Sequence, residues 1–499
     1  MNPESIRAIV EKTVAQVPGG YLIVRAQSLR ERSVRFNNGS LQNLSIADES
    51  GIGVQAFTRK GACGFASVNF IDDHHAERTA WDAFRLAEVN EKSGCDLNTA
   101  IFDAVKVRDA VANSAEHPFD SFTPEDLQMM TASIHNNLMA QRPEQGTLSW
   151  QTSFRLIEEF WCIGRTDGTL VSFFVPRAVL SHHGTVKEGD KAQSFAVNRS
   201  GVDAGVLLAE KTDSALYHKA VDKANFIYRV ALSSAIPFGS YPLVIDHALA
   251  KGLAHEAFGH AVESDLVEES VLSSDGKLKI GLPISNPAVG IIDGPLPEDW
   301  AYQPYSANGI RRETVEIVKK GILAQGLGDI FSAQKAGIPV TGAGRSEYYG
   351  SVSLPRMTNI RLMVSNKMPL PPSTHLPEEI RNLRQTLMDN NTLAKDHHYL
   401  LLGYRGGQVN IKTGDFVFQC DGAVNLADPD LGVYNPGIFS GKILSVLESV
   451  RSAIGDEHYH AIGTCGKSGQ GVPSSGGGNG YILLDSHPNV KLGGKDDGK

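Results

Sequence analysis

The chain has 499 residues, 41% hydrophobic and 21% charged, with a formal net charge of −9. That length suits roughly two or three domains with substantial cores, and the composition excludes a disordered chain. The acidic balance without a basic run argues against a nucleic-acid partner, no apolar run is long enough to cross a bilayer, and five scattered cysteines make no disulfide framework.

The first stretch, MNPESIRAIVEKTVAQV, mixes acidic and basic residues and has no apolar export core, so a cytoplasmic location is expected. Residues 5–16 read as a helix. Residues 20–70 alternate polar and apolar positions between turn signals, the strongest being Asn38-Gly39 and a weaker one Lys60-Gly61. Such a pattern predicts an antiparallel meander. His74 to Val89 returns to helical period. Residues 95–122 read as a linker, and Thr123-Pro124-Glu125-Asp126 opens a helix over 124–140. Strand-like stretches come next from Leu148, with a turn at Asp167-Gly168, and then a helix near Val202 to Ala224. The order helix, strands, helix thus occurs twice. The expectation is an N-terminal α/β domain over 1–225, made of two similar halves, 1–95 and 123–225.

From Tyr228 the texture changes. Tyr241 to Ile245 predicts a strand, and the chain beyond Asp265 is rich in Gly, Pro and short apolar pieces. Helical period returns only at Pro377 to Met388 and at Lys442 to Ser452. A second, mostly β and barrel-like domain over 226–499 is expected, giving an α+β chain that ends in a loose tail over 492–499.

The chemistry concentrates in Leu253 to Asp265, LAHEAFGHAVESD. Two neutral imidazoles, His255 and His260, can hold a metal, and the adjacent carboxylate of Glu256 can handle a proton of water. In the common HExxH motif the histidines share a helical face at i and i+4. Here they are five apart, which in a regular helix leaves them about 140° from one another. A one-residue bulge of π type at Gly259 would bring them back together. A catalytic zinc takes three protein ligands. From the residues alone, the third remains open between Cys465, Glu263, His247 and Asp246, with Glu263 better suited to holding a ligand histidine from behind. Cys465 lies in a Gly-rich stretch, TCGKSGQG, that reads as a loop, with Lys467 placed near the metal or a substrate carbonyl.

Other motifs carry less. AIGTCGKS fits a relaxed phosphate loop, but it runs into GQGVPSSGGGNG, which cannot start a helix. The adjacent pairs His182-His183 and His397-His398 would face apart on a strand and chelate poorly; both read as surface or loop histidines. Cys63, Cys95, Cys162 and Cys420 read as small buried residues.

Several blocks resemble the TldD/PmbA family of metallopeptidases: YPLVIDHALAKGLAHEAFGHAVESD, GAGRSEYYGSVSLPRMTNIRL, GGQVNIKTGDFVFQC and CGKSGQGVPSSGG, with FNNGSLQNL and GIGVQAF near the start. The resemblance implies zinc-dependent cleavage of unfolded peptides, including leader peptides of modified natural products. It implies that His255, His260 and Cys465 bind the zinc and that Glu256 is the general base. It also implies a homodimer or a heterodimer with a related subunit. The family includes partner subunits that have lost the motif, so a non-catalytic peptide-binding partner is the alternative; all four residues are retained here. An exopeptidase of the HExxGH kind would need a glutamate ligand from a following helix, and the chain after Ser270 is not helical in pattern.

Overall fold

A computed structural model describes residues 2–141, 146–213 and 215–494. The N-terminal part is one eight-stranded sheet. Strands β1 (Tyr21–Asn37) and β2 (Ser40–Phe57) form a long hairpin, and β3 (Cys63–Val68) extends it along residues 52–57. Asn38 and Gly39 both have positive φ, 46° and 82°, the torsions that the two-residue hairpin turn requires. A short strand, β4 (Arg108–Val111), arises within the expected linker and pairs in parallel with β6 (Leu170–Phe174). The second meander is β5 (Thr147–Arg165), β7 (Arg177–Glu188) and β8 (Lys191–Gly201), and it joins the first through antiparallel pairing of β1 with β5.

Helices cover one face of this sheet. α1 (Pro3–Thr13) and α2 (Asp73–Lys92) bury Ile6, Val10, Ala76, Ala80 and Ala83 against Leu22, Val24, Ile52 and Val54. α3 (Pro124–Met139) starts from a reciprocal capping box between Thr123 and Asp126, which satisfies donors a helix end would otherwise leave open. The helix expected near Val202 to Ala224 is two helices, α4 (Gly205–Asp213) and α5 (Ala215–Leu232). On the opposite face, Ile23, Phe57, Ile163 and Phe173 pack against Tyr305 and Ile330 from the C-terminal part.

The largest sheet of the C-terminal part has twelve strands and is open: its end strands, Ile322–Leu323 and Val433–Tyr434, do not pair with each other among the described residues. Its strands include β9 (Leu243–Asp246), β10 (Val289–Gly294), β11 (Asn359–Val364), β12 (Tyr399–Leu402), β13 (Gly422–Asn425), β14 (Val450–His458), β15 (Gly463–Lys467) and β16 (Gln470–Leu484). β16 is the hub: it pairs with β15, then with β11 in parallel, then with β14 and β9. A separate four-stranded sheet is made by Gly407–Asn410, Asp415–Gln419, Ile438–Lys442 and Val490–Gly493.

Three expectations need correction. The Gly-rich stretch around Cys465 is not a loop but the β15–β16 hairpin, turned by Ser468 and Gly469 at positive φ. Gly476, Gly477 and Gly478 lie inside β16 with φ near 150°, because neighbouring carbonyls of Ile360, His458 and Leu362 occupy the space a Cβ would take. This glycine run is what lets three strands approach. The helix expected over Lys442 to Ser452 is only α8 (Ile443–Glu448); β14 begins at Val450, where the backbone pairs with Leu484 instead. In the expected tail, Leu492 is fully buried in a strand, whereas residues 495–499 lie outside the described residues. α7 (Leu376–Asp389) covers the predicted helix over Pro377 to Met388.

Candidate metal centre

Strand β9 delivers the chain to α6 (His247–Gly252), which passes without a break into a π-helical segment, Leu253–Gly259, and a closing turn, His260–Val262. Asp246 starts the helix: one carboxylate oxygen accepts from the Leu249 amide at 2.9 Å and the other from the Gly403 amide at 2.7 Å. The segment is buried between the two C-terminal sheets. Leu253, Ala254, Ala257, Phe258, Ala261 and Val262 share one buried cluster with Ile245, Leu362 and Ile482 of the large sheet and Phe416, Phe418 and Phe439 of the small one.

Within this segment the His260 amide donates to the carbonyl of His255, five residues back. That hydrogen-bond step replaces the ordinary step of four and brings residues i and i+5 onto one face. The two imidazole rings accordingly lie 5.1 Å apart, nearly perpendicular. The irregularity is a whole π turn rather than a single bulge. Gly259 itself has ordinary helical torsions, φ −58° and ψ −59°. What requires glycine there is space, since a Cβ would collide with the sulfur of Met357.

Cys465, on β15 and 205 residues away in sequence, places its Sγ 3.6 Å from Nε2 of His260. His255, His260 and Cys465 each offer a ligand atom within 4.8 Å of the others, the one such trio of His, Cys, Asp or Glu among the described residues. Nδ1 of His255 is buried without a hydrogen-bond partner among the described residues. A buried polar atom left in this state is costly, and a cation would relieve it. Two imidazoles and a thiol also suit zinc by donor type.

The remaining candidates fall elsewhere. Glu263 stands behind His260, its Oε2 3.0 Å from Nδ1 of that ring. His247 turns away and packs its ring 5.0 Å from that of His458. Lys467 does not reach toward the trio; its ammonium donates to Glu263 at 2.8 Å, to Asp265 at 2.6 Å and to the Pro355 carbonyl at 3.2 Å. His182 is fully buried, joined through the Thr152 hydroxyl to His135, and is no surface histidine. His398 is buried as well, with His397 exposed.

The electrostatics differ between the two histidines. Burial, reinforced by the Lys251 ammonium, holds His255 well below the ordinary histidine range, so its imidazole is neutral. Burial would also depress His260, but Glu263 and Cys465 outweigh it and hold its pKa well above the ordinary value. A metal ion at Nε2, the ring nitrogen that faces Cys465, would take the place of a proton there and leave Nδ1 to Glu263. Glu256, half-buried on the same turn, is raised by burial against the opposing charges of His260 and Lys251 and the lowering influence of the nearby Tyr404 hydroxyl.

Arg356, Asn359 and Tyr348-Tyr349, in the blocks that resemble the family, read from the sequence either as substrate-binding residues or as structural residues of a turn; Arg356 instead reaches the site. Its fully buried guanidinium donates from Nε to the sulfur of Cys465 at 3.3 Å and from Nη2 to the Cys465 carbonyl. Asn359 and Tyr349 have structural contacts: Asn359 ties β11 to the Tyr459 carbonyl and Ser475, and Tyr349 docks on the N-terminal sheet through Gln27 and Asn69. Tyr404 could have been noticed only through its spatial neighbour, since no local pattern links it to Glu256.

Two family descriptions match this chain: the PmbA/TldA metallopeptidase C-terminal domain over residues 238–484 and PmbA/TldA metallopeptidase domain 1 over residues 23–87. A metalloprotease of Methanothermobacter thermautotrophicus is 27% identical over 460 residues, covering 92% of this chain and 93% of the relative. A zinc metalloprotease TldD homolog of Saccharolobus solfataricus is 26% identical over 245 residues, covering 48% of this chain and 49% of the relative. Among solved structures, TldE from Thermococcus kodakarensis superposes with a TM-score of 0.71 over 98% of this chain and all of that one, at 14% identity. That likeness speaks for the fold.

Proposed function

The chain belongs to the PmbA/TldD family of metallopeptidases, and we propose that it is a catalytically active member that hydrolyses unfolded or leader peptides with one zinc ion. His255, His260 and Cys465 would hold the zinc. The observation that carries this reading is the convergence of those three ligand atoms on one buried point, with Glu256 on the same turn. A relative described as a zinc metalloprotease supports the choice of metal. Zinc bound there supplies Lewis-acid polarisation of a peptide carbonyl and lowers the pKa of water.

The chain's own residues do the rest. Glu256 accepts a proton from the attacking water and returns it to the leaving amine. Its raised pKa suits both halves of that exchange. Glu263 orients the His260 ring from behind, and Arg356 holds the Cys465 sulfur in place. An extended peptide would be held by main-chain pairing with a strand edge, which gives affinity with little sequence preference. Gly407–Asn410 is such an edge: it is mostly exposed, pairs on one side only among the described residues and lies near the π segment. The chain would work as a homodimer or beside a related subunit.

The test is Glu256→Gln. The variant should retain stoichiometric zinc by elemental analysis and lose about 10²–10⁴-fold in turnover of an unfolded peptide. Unchanged turnover would remove Glu256 from the role and with it this reading of the site.

A further inference from the structure

Where the N-terminal sheet meets the β15–β16 hairpin there is a cavity of about 280 Å³. Gly471, Val472 and Pro473 line it, and among the described residues they pair with β15 alone; Val472 is the cross-strand partner of Cys465. Most charges around the cavity are matched. Arg155 donates from Nε and Nη2 to the two carboxylate oxygens of Glu31, each at 2.8 Å. Glu159 accepts from Gln27, Trp161 and Arg177. Arg345 differs. It is 2% exposed, and it donates to the Gln303 side chain at 2.7 Å and to the carbonyls of Met357 and Pro473 at 2.7 and 2.6 Å. No carboxylate pairs with it among the described residues, and none of these bonds uses Nη2. Burial lowers its pKa to about 9, with Arg312, Arg177 and Arg356 adding to the effect. The next residue, Ser346, has a buried hydroxyl with no hydrogen-bond partner among the described residues. Both residues line the cavity.

A buried cation without a counter-charge and a buried hydroxyl without a partner are both costly, and one anionic group would relieve both. A carboxylate suits the pair, because its oxygens accept from a guanidinium and a hydroxyl together. We propose that this cavity is a carboxylate-binding subsite for the peptide, in which Arg345 and Ser346 receive its C-terminal carboxylate or the side chain of an aspartate or glutamate. The proposal rests on the peptidase reading above for the identity of the ligand as a peptide. The size of the cavity agrees: it is just below the range of about 300–1,000 Å³ that holds small molecules, so it takes the end of a residue and not a folded chain. Its position agrees as well. Arg345 is near enough to Cys465 and His255 to act electrostatically on both. An extended peptide advances about 3.3 Å per residue, so a chain lying over the metal reaches past Val472 within a few residues. Such a subsite adds selectivity where main-chain pairing supplies little.

The experiment is isothermal titration calorimetry on the full chain carrying Glu256→Gln, so that binding is read without cleavage. The probes are short unfolded peptides in matched pairs. One pair has no acidic side chain and differs only in a free or an amidated C-terminus. The other pairs are amidated and carry a single internal Glu or Gln at successive positions. At least one pair should favour the carboxylate by about 10-fold or more. A preference in the first pair identifies the peptide's C-terminus as the source, and a preference in the others identifies a side chain. Arg345→Met should abolish the preference and leave the affinity for the uncharged member. Arg345 also ties Met357 to Pro473, so Ser346→Ala, which removes no hydrogen bond seen among the described residues, is the second variant. It should keep the circular-dichroism spectrum and lower the preference several-fold. No peptide binding, equal affinities in every pair, or a preference that survives unchanged in either folded variant would overturn the proposal. Cleavage by the chain with Glu256 intact is measured separately: peptides bound with this preference but left uncut would defeat the peptidase reading and not the subsite.

Discussion

The two large sheets follow opposite building rules. In the N-terminal sheet, neighbours in space are mostly neighbours in sequence: two meanders run outward from the β1–β5 pair. In the C-terminal sheet, the central strand β16 comes late in the chain, and its partners begin at residues 243, 359, 450 and 463. Local patterns can describe the first kind of sheet, because a hairpin's register is fixed by its turn. They describe the second poorly, because pairing there depends on contacts hundreds of residues apart. The second arrangement is also the one that brings Cys465 to the histidines.

The first way to sharpen this contrast is at Gly259, where the largest effect is expected. Gly259→Ala has no torsional objection but collides with Met357. Displacing the π turn by about an ångström should lower kcat/KM by about 10²-fold and reduce zinc content. Met357→Ala in the same chain should restore much of both. Steady-state kinetics with elemental analysis of the single and double variants checks this, and a single variant that behaves like the parent would mean the turn is not packing-controlled.

Next comes a pair of glycines, one in each region. Gly477→Ala places a methyl group against the His458 carbonyl at φ 154° and should cost about 1–3 kcal/mol or more. Gly39→Ala, at the N-terminal hairpin turn, meets nothing within 4 Å and should cost only about 1–2 kcal/mol, for its φ of 82°. Urea unfolding of both variants measures the difference, and equal costs would break the distinction between a glycine kept for space and one kept for torsion.

The smallest effect is acid sensitivity in the N-terminal part. Burial lowers His182 from 6.5 to about 3, with His135 and His183 adding to it, and burial also lowers His135. A histidine depressed in the folded state is held neutral there. Its contribution is complete above the unfolded pKa and is lost as pH falls from about 6.5 toward 3. His182→Leu should flatten the stability profile in that window. A profile unchanged by the substitution would assign acid sensitivity to other groups.

Much of the N-terminal sheet was legible because Asn38-Gly39 and the alternating strands state their own pairing. The irregular helix was legible too: the five-residue spacing of His255 and His260 demanded an irregular turn if both rings were to share a face, although Gly259 serves packing rather than torsion. Ile443, Val446, Leu447 and Val450 repeat at helical spacing and are all buried, yet the helix stops at Glu448. Strand pairing of Val450 with Leu484 overrode the local period. The Gly-rich TCGKSGQG stretch suggested a loop, and nothing local reveals the β15–β16 pairing that makes it a hairpin. Arg356 and Tyr404 support the site through contacts that exist only once the sheets have assembled.

The direct test of the site is zinc-edge X-ray absorption on the purified protein. The account predicts one sulfur at about 2.3 Å and imidazole nitrogens at about 2.0–2.1 Å, with the sulfur contribution absent in Cys465→Ser. A shell without sulfur, or one that the substitution leaves unchanged, would contradict the convergence of Cys465 with His255 and His260 on a single ion.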